Sequence, residues 1–283
     1  MITKIIACSD IHFKNLKGIE DLKNVLKTFI KQCKDIVKTE GGKEHVRIVV
    51  AGDVFDQKIN VTNESILAVH WFFSELNKIC KTIVIAGNHD YLVNNTNRIN
   101  SLTPLFQIGE YKNLVFLDDA LGYKSGCYVD DNVVWCLYSS FTSFTTPNII
   151  ETKIKNKDSA TPYTYVGLIH ADVNGAITVT NYVSDRGIDP NVFENCDFVI
   201  AGHIHKRQEL KKNGVKIVYC SSIMQKDMGE TVTDHGFVLW DLTDTDDYTY
   251  EHIDVPNPDC GFYKFEINSI EDIENDYEEI TNL

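Results

Sequence analysis

Five short segments carry side chains of the kind that hold hard divalent cations: Asp10-Ile11-His12, Gly52-Asp53-Val54-Phe55-Asp56, Gly87-Asn88-His89-Asp90, His170, and Gly202-His203-Ile204-His205. Each follows an apolar, β-branched run, for instance VRIVVAG before Asp53 and YVGLI before His170. In extended backbone, residues i and i+2 point to the same face, so Asp-x-His and His-x-His can each aim two side chains into one crevice. Carboxylates, a carboxamide and imidazoles without thiolates suit Mn²⁺, Fe²⁺ or Zn²⁺ at a working site and not a structural zinc site. Singly these motifs are weak signals. Together they are strong, because five of the nine histidines fall within them. The other four, His45, His70, His235 and His252, have no such company and are read as surface or satisfied core residues.

The elements that must position these residues are legible in the pattern of apolar runs. IIAC, VRIVVAG, TIVIAG, LVFL, VVWCLY, YVGLIH, DFVIAG, VKIVYC and FVLW each have the length of a buried strand. Leu22, Val25, Leu26, Phe29, Ile30, Cys33, Ile36 and Val37 follow helical spacing, and Gly41-Gly42 supplies a stop. A second helix is predicted from about Thr62 to Cys80, with Thr62 or Asn63 as N-cap. The order β-α-β-α-β followed by mostly β predicts a mixed-sheet α/β domain, in which ligands gather beyond the carboxyl ends of strands. Ser139 to Pro162 is polar and lacks periodicity, so a long surface loop is expected there.

Composition narrows the function classes. With 43% hydrophobic and 24% charged residues, and no apolar run near the roughly 20 residues a bilayer requires, the sequence reads as non-membrane. The start lacks the features of a secretory signal, and eight scattered cysteines contain no C-x-x-C pair, so reduced thiols in the cytoplasm are expected. A net charge of −14 argues at first against nucleic acid. Its distribution changes that reading: Asp241 to Leu283 holds 14 acidic residues and one lysine, leaving 26 basic against 27 acidic residues before it. The chain is therefore divided into a domain over residues 1–242 and an acidic C-terminal extension over 243–283. Several carboxylates of the domain lie in motifs where cations would offset them.

The order D-x-H, G-D-x-x-D, G-N-H-D, a single His and G-H-x-H resembles the calcineurin-like metallophosphoesterase superfamily. The resemblance implies a four-layer α/β/β/α sandwich with two mixed sheets and two divalent cations at the strand ends. It implies that Asp10, His12, Asp53 and His205 bind one metal, and that Asp53, Asn88, His170 and His203 bind the other, with Asp53 bridging. Two cations roughly 3.5 to 4 Å apart lower the pKa of a shared water and neutralise charge on the transition state. His89 is not a ligand in this pattern. It is expected to face the scissile phosphate as proton donor or charge stabiliser, with Asp56 as its orienting carboxylate.

Protein phosphatases of the superfamily carry Arg-Gly after the second motif, where this chain has Gln57-Lys58, which weighs against a phosphomonoester substrate. GDVFDQKINVTNES and the late stretch IVYCSSIMQKDMGE are similar to the SbcD family of double-strand-break repair nucleases, especially its compact tailed-phage form. The similarity covers Met1 to Leu242. Tyr219, Ser222, Gln225, Gly229 and Glu230 match the family's late motif, while Ser221 and Ile223 replace its glycine and proline. This resemblance implies a DNA nuclease, 3′ to 5′ on duplex ends and endonucleolytic on single strands, with Mn²⁺ preferred over Fe²⁺, Zn²⁺ or Mg²⁺. It implies a recombination and repair complex with an SbcC-type coiled-coil ATPase, and a homodimer through the 62–80 helix with Trp71 or Phe72 near its centre. A small-substrate phosphodiesterase, such as one acting on cyclic nucleotides, and a weakly active DNA-end-binding scaffold are the alternatives.

Overall fold

The apolar runs that precede the ligand motifs become the central strands of two six-stranded sheets. The computed structural model describes residues 1–16, 18–156, 162–257 and 261–262. In chain order its elements are β1 (Lys4–Cys8), α1 (Ile19–Thr39), β2 (Val46–Ala51), α2 (Asn63–Ile79), β3 (Thr82–Ile85), α3 (Thr103–Ile108), β4 (Leu114–Phe116), α4 (Leu117–Ala120), β5 (Gly126–Asp130), β6 (Val133–Leu137), α5 (Ile149–Asn156), β7 (Thr164–His170), β8 (Phe198–Gly202), β9 (Gln208–Lys212), β10 (Val215–Tyr219), β11 (Gly236–Asp241) and β12 (Thr249–Asp254). The first sheet has the order β12-β11-β1-β2-β3-β4 and the second β5-β6-β7-β8-β10-β9. β1 to β4 run parallel, as do β6, β7, β8 and β10, with antiparallel strands added at the edges. The mixed two-sheet fold expected from the sequence is the fold of the protein.

Alternation along each central strand serves two cores at once, which is why these strands read as continuous apolar runs. Ile5, Ala7, Val49 and Ile83 face Trp135, Val166, Phe198 and Val218 between the sheets. There Trp240 stacks on Phe198 with ring centroids 3.9 Å apart. On the outer face of the first sheet, Ile6, Ile48, Val50 and Val84 pack under α1 and α2. The outer face of the second sheet buries Cys136, Ile169, Val199 and Tyr219 beneath Tyr138, Ile149 and Phe193.

α1 buries the face predicted for it, from Leu22 to Cys33. Thr62 is the N-cap of α2: its Oγ1 accepts from the Ser65 amide at 3.3 Å, while Ser65 Oγ accepts from the Thr62 amide at 3.1 Å.

Three expectations are corrected. The stretch 139–162 is not one loop: its described part holds a 3-10 turn at Ser140–Thr142 and the helix α5. The sheet does not end at Leu242, because β12 pairs along β11 from Gly236↔Asp254 to Asp241↔Thr249 and Val255 is buried in the core. The 243–283 segment thus contributes β12 to the domain, and its residues 258–260 and 263–283 lie outside the described residues. Phe72 cannot sit at a dimer contact, since it is fully buried against Phe13, Phe29 and Phe73, and Trp71 is partly buried against the same core. α2 turns Ile66 and Leu67 outward instead.

Candidate metal centre

The carboxyl ends of β1, β2, β3, β7 and β8 converge on one crevice between the sheets. The loops after β1 and β2 continue side by side: the Asp10, His12 and Phe13 amides donate to the carbonyls of Gly52, Asp53 and Val54 at 3.0, 3.0 and 2.8 Å. Two bonds tie the second sheet to this pair. The His203 amide donates to Asp10 Oδ2 at 3.1 Å, and His170 Nδ1 donates to the Ala51 carbonyl at 2.7 Å. Asp10, His12, Asp53 and His203 all have positive φ, 53°, 52°, 52° and 92°, a conformation costing each non-glycine residue on the order of 1–3 kcal/mol. Strain concentrated at four of the expected ligands marks the crevice as a functional site. Glycine is required where the backbone closes on them. A Cβ on Gly87 would lie 2.2 Å from Asp53 Oδ1, and one on Gly52 would lie 2.4 Å from His170 Nδ1.

All seven side chains expected as ligands meet here. Asp10, His12 and His205 form one group able to hold a cation, and Asp53, His170 and His203 form a second. Asn88 joins the second through Oδ1, 2.8 Å from His203 Nδ1. Asp53 stands between the groups: its Oδ2 is 3.2 Å from His170 Nε2 and 3.7 Å from His12 Nε2. The donor set fits divalent cations. Asp10 Oδ1 and His170 Nε2 are buried without hydrogen-bond partners, and the Nε2 atoms of His12 and His205 face each other at 3.1 Å. Buried ligand atoms without hydrogen-bond partners are what a cation would satisfy.

Electrostatics follow from crowding these groups together. Burial works against ionisation of Asp10, but His205, His170 and His12 outweigh it and hold the carboxyl below its usual range. Burial pushes His12 down to about 3 despite Asp53 and Asp10. Burial also opposes the imidazolium forms of His170 and His205. Asp53 nonetheless raises His170 to about 9, and Asp10 with Glu230 raises His205 to about 10. Asp90, fully buried, accepts from the amides of Phe55, Gly87 and Val54 and so clamps the second and third motifs together.

Comparison with known proteins agrees with this geometry. Residues 3–207 match the model of the calcineurin-like phosphoesterase family. The chain belongs to this family. Protein R555 of Acanthamoeba polyphaga mimivirus is 31% identical over 92% of the chain, which spans only 18% of that protein's length. Protein 244L of Invertebrate iridescent virus 6, named as a phosphoesterase, is 25% identical over 95% of the chain and 82% of its own length. Among solved structures, a dimetal phosphatase from Danio rerio shares the fold at a TM-score of 0.52 and 12% identity, covering 85% of this chain and 93% of that one. The protein is accordingly a member of a metal-dependent phosphoester hydrolase family, and its described residues contain no helix long and apolar enough to cross a membrane.

In this calcineurin-like phosphoesterase the residues around the ligands differ from expectation at one point. His89 does have Asp56 as its partner, but through the backbone: His89 Nδ1 donates to the Asp56 carbonyl at 2.6 Å. The Asp56 carboxylate instead faces His12 Nδ1 at 3.6 Å and Lys226 Nζ at 3.4 Å. Glu230 and Lys226 were not among the expected site residues. Glu230 Oε1 lies 2.5 Å from His205 Nδ1, and its Oε2 accepts from Ser222 Oγ and the Lys226 amide, each at 3.0 Å. The Gly229-Glu230 pair of the late motif was the available signal for this carboxylate. Lys226 had none.

Proposed function

We propose that this phosphoesterase is a DNA nuclease of the SbcD type, cutting phosphodiesters with two divalent cations, Mn²⁺ by preference. The observation that supports it most is the position of Asp53 between His12 and His170, at 3.7 and 3.2 Å, with the His89 ring against Asp53 and His12 and the late motif folded directly behind His205. Asp10, His12, Asp53 and His205 would hold one cation and Asp53, Asn88, His170 and His203 the other, and the pair would supply an acidified water and positive charge to offset that on the phosphoryl oxygens. The protein's own groups do the rest. Asp53 holds the two half-sites in register and accepts the His89 amide at 2.7 Å, fixing the backbone from which the His89 ring projects. With Nδ1–H committed to the Asp56 carbonyl, His89 acts through Nε2, which in the imidazolium form carries the proton given to the departing oxygen or the charge that stabilises it. Gln57-Lys58 in place of Arg-Gly favours diesters over monoesters.

In this reading the chain works with an SbcC-type ATPase in the cytoplasm. It pairs with a second copy through the outward face of α2, where Ile66 and Leu67, with Ile59, Ile99 and Ile108, line an apolar groove of about 510 Å³. Incubation with linear duplex, circular single-stranded DNA, a cyclic nucleotide and bis-p-nitrophenyl phosphate in Mn²⁺ tests the substrate. Nicking of the circle and shortening of duplex ends is the expected result. Hydrolysis of the small diesters with both DNAs intact would favour the small-substrate alternative.

A further inference from the structure

On the His12 side of the centre, Asp10, His12, Lys14, Gln225 and Lys226 line one small cleft. Lys226 Nζ stands 3.3 Å from His12 Nδ1 and 3.4 Å from Asp56 Oδ1. Lys14 Nζ donates to the Lys226 carbonyl at 3.3 Å, and no ion pair joins it to a carboxylate among the described residues. Of these two ammonium groups only Lys226 has a carboxylate beside it among the described residues, so together they leave positive potential at the mouth of the cleft that a bound anion would lower.

The third component is aromatic. The Phe262 ring lies with its centroid 5.7 Å from Lys14 Nζ and remains 43% exposed. Buried Gln225 holds it in place, donating to the Phe262 carbonyl at 3.1 Å and accepting from the Phe262 amide at 2.6 Å. Gln225 also donates to the Glu230 carbonyl at 3.0 Å, so the ring is tied to the loop that orients His205. Cations that track a backbone beside an exposed ring that can stack a base are the two parts of a single-strand binding groove. A cyclic mononucleotide has no second phosphate to place against the lysines.

We propose that Lys14, Lys226 and Phe262 form a subsite for the DNA strand flanking the scissile bond, with the lysines on the neighbouring phosphate and the ring stacked on its base. The assignment rests on the nuclease reading. Its test is binding of a fluorescein-labelled oligothymidylate by anisotropy in EDTA across a salt series, alongside cleavage of the same strand in Mn²⁺. Each neutralised phosphate contributes about 0.7 to the slope of log affinity against log salt for single strands, so Lys14→Gln with Lys226→Gln, which together release one phosphate, should lower the slope by about 0.7. The paired Lys→Arg variants should restore it. Phe262→Ala should weaken binding by about tenfold at every salt concentration without changing the slope. If the wild type binds and cuts the strand while the glutamine pair keeps its slope, the subsite is overturned and the nuclease reading stands. If the wild type neither binds nor cuts it, both fall.

Discussion

The two halves of the metal centre are supported in different ways. Around His170 the support is backbone: the Ala51 carbonyl fixes the ring, and Gly52, at φ 90°, leaves the space the ring fills, while the His203 ring has the Asp172 carboxylate 3.7 Å from its Nε2. Around His12 and His205 the support is charged side chains from a distant loop. Glu230 stands behind His205, and Asp56 with Lys226 stands beside His12. A carbonyl at a strand end is set by the sheet and cannot be removed by mutation. A carboxylate behind an imidazole raises its basicity and can be removed. The first half is therefore built for rigidity and the second for adjustment, and substitutions should separate them.

The largest effect is expected where the halves meet. Asp53→Asn weakens the carboxylate expected to bridge them, so it should reduce phosphoesterase activity to background and lower metal content at both positions, measured by elemental analysis. Next comes His89→Ala, which removes the ring bonded to the Asp56 carbonyl but none of the seven expected ligands. It should keep both metals while slowing turnover by about 10² to 10⁴, read from single-turnover cleavage. Loss of a metal in this variant would mean that His89 is a ligand. Glu230→Gln should then distinguish the halves, lowering metal affinity about 10- to 100-fold at the Asp10, His12 and His205 position alone. Equal loss at both positions in a calorimetric titration would contradict the comparison.

Sequence and structure agree most closely in the backbone-supported half. Every residue of it lies at the end of an apolar strand, and strand periodicity is visible without tertiary information. The adjustable half was only partly legible. Glu230 is 25 residues from His205, on an irregular loop whose polar residues follow no period, so only the motif match pointed to it. The Asp56 carboxylate was assigned to His89 because proximity in the motif says nothing about whether a side chain or a carbonyl does the contacting. Three strands were missed for a related reason. β5, β9 and β12 lie at sheet edges with exposed, polar sequences such as QELKK and TYEHID, which carry little apolar signal. Phe72 and Phe73 of α2 are both buried, because α1 and the α3 region cover the helix from different sides.

The smallest effect lies just behind the centre. Asp118 accepts from the Ala86 amide at 2.9 Å and from Ser139 Oγ at 2.7 Å, and burial, only partly offset by these bonds, pushes its carboxyl up to about 6. A carboxyl whose folded pKa exceeds its unfolded value near 3.8 gives its full stabilisation below that value and loses it as pH rises through 6. Asp118→Asn, whose amide can accept from Ala86 and donate to Ser139, should remove this dependence. The variant should match or exceed the wild type by about 1–3 kcal/mol at pH 8, measured by urea denaturation. A variant that tracks the wild type from pH 4 to 8 would show that Asp118 stays ionised.

The claim on which the rest depends is that Asp53 joins the two halves into one dinuclear centre. Electron paramagnetic resonance of the Mn²⁺-loaded wild type tests it directly, together with the Mn²⁺ content per chain. The account predicts two Mn²⁺ per chain with the exchange-coupled signal of a bridged pair, lost in Asp53→Asn. A single Mn²⁺, or two with the independent signals of uncoupled ions in an actively cleaving enzyme, would contradict it.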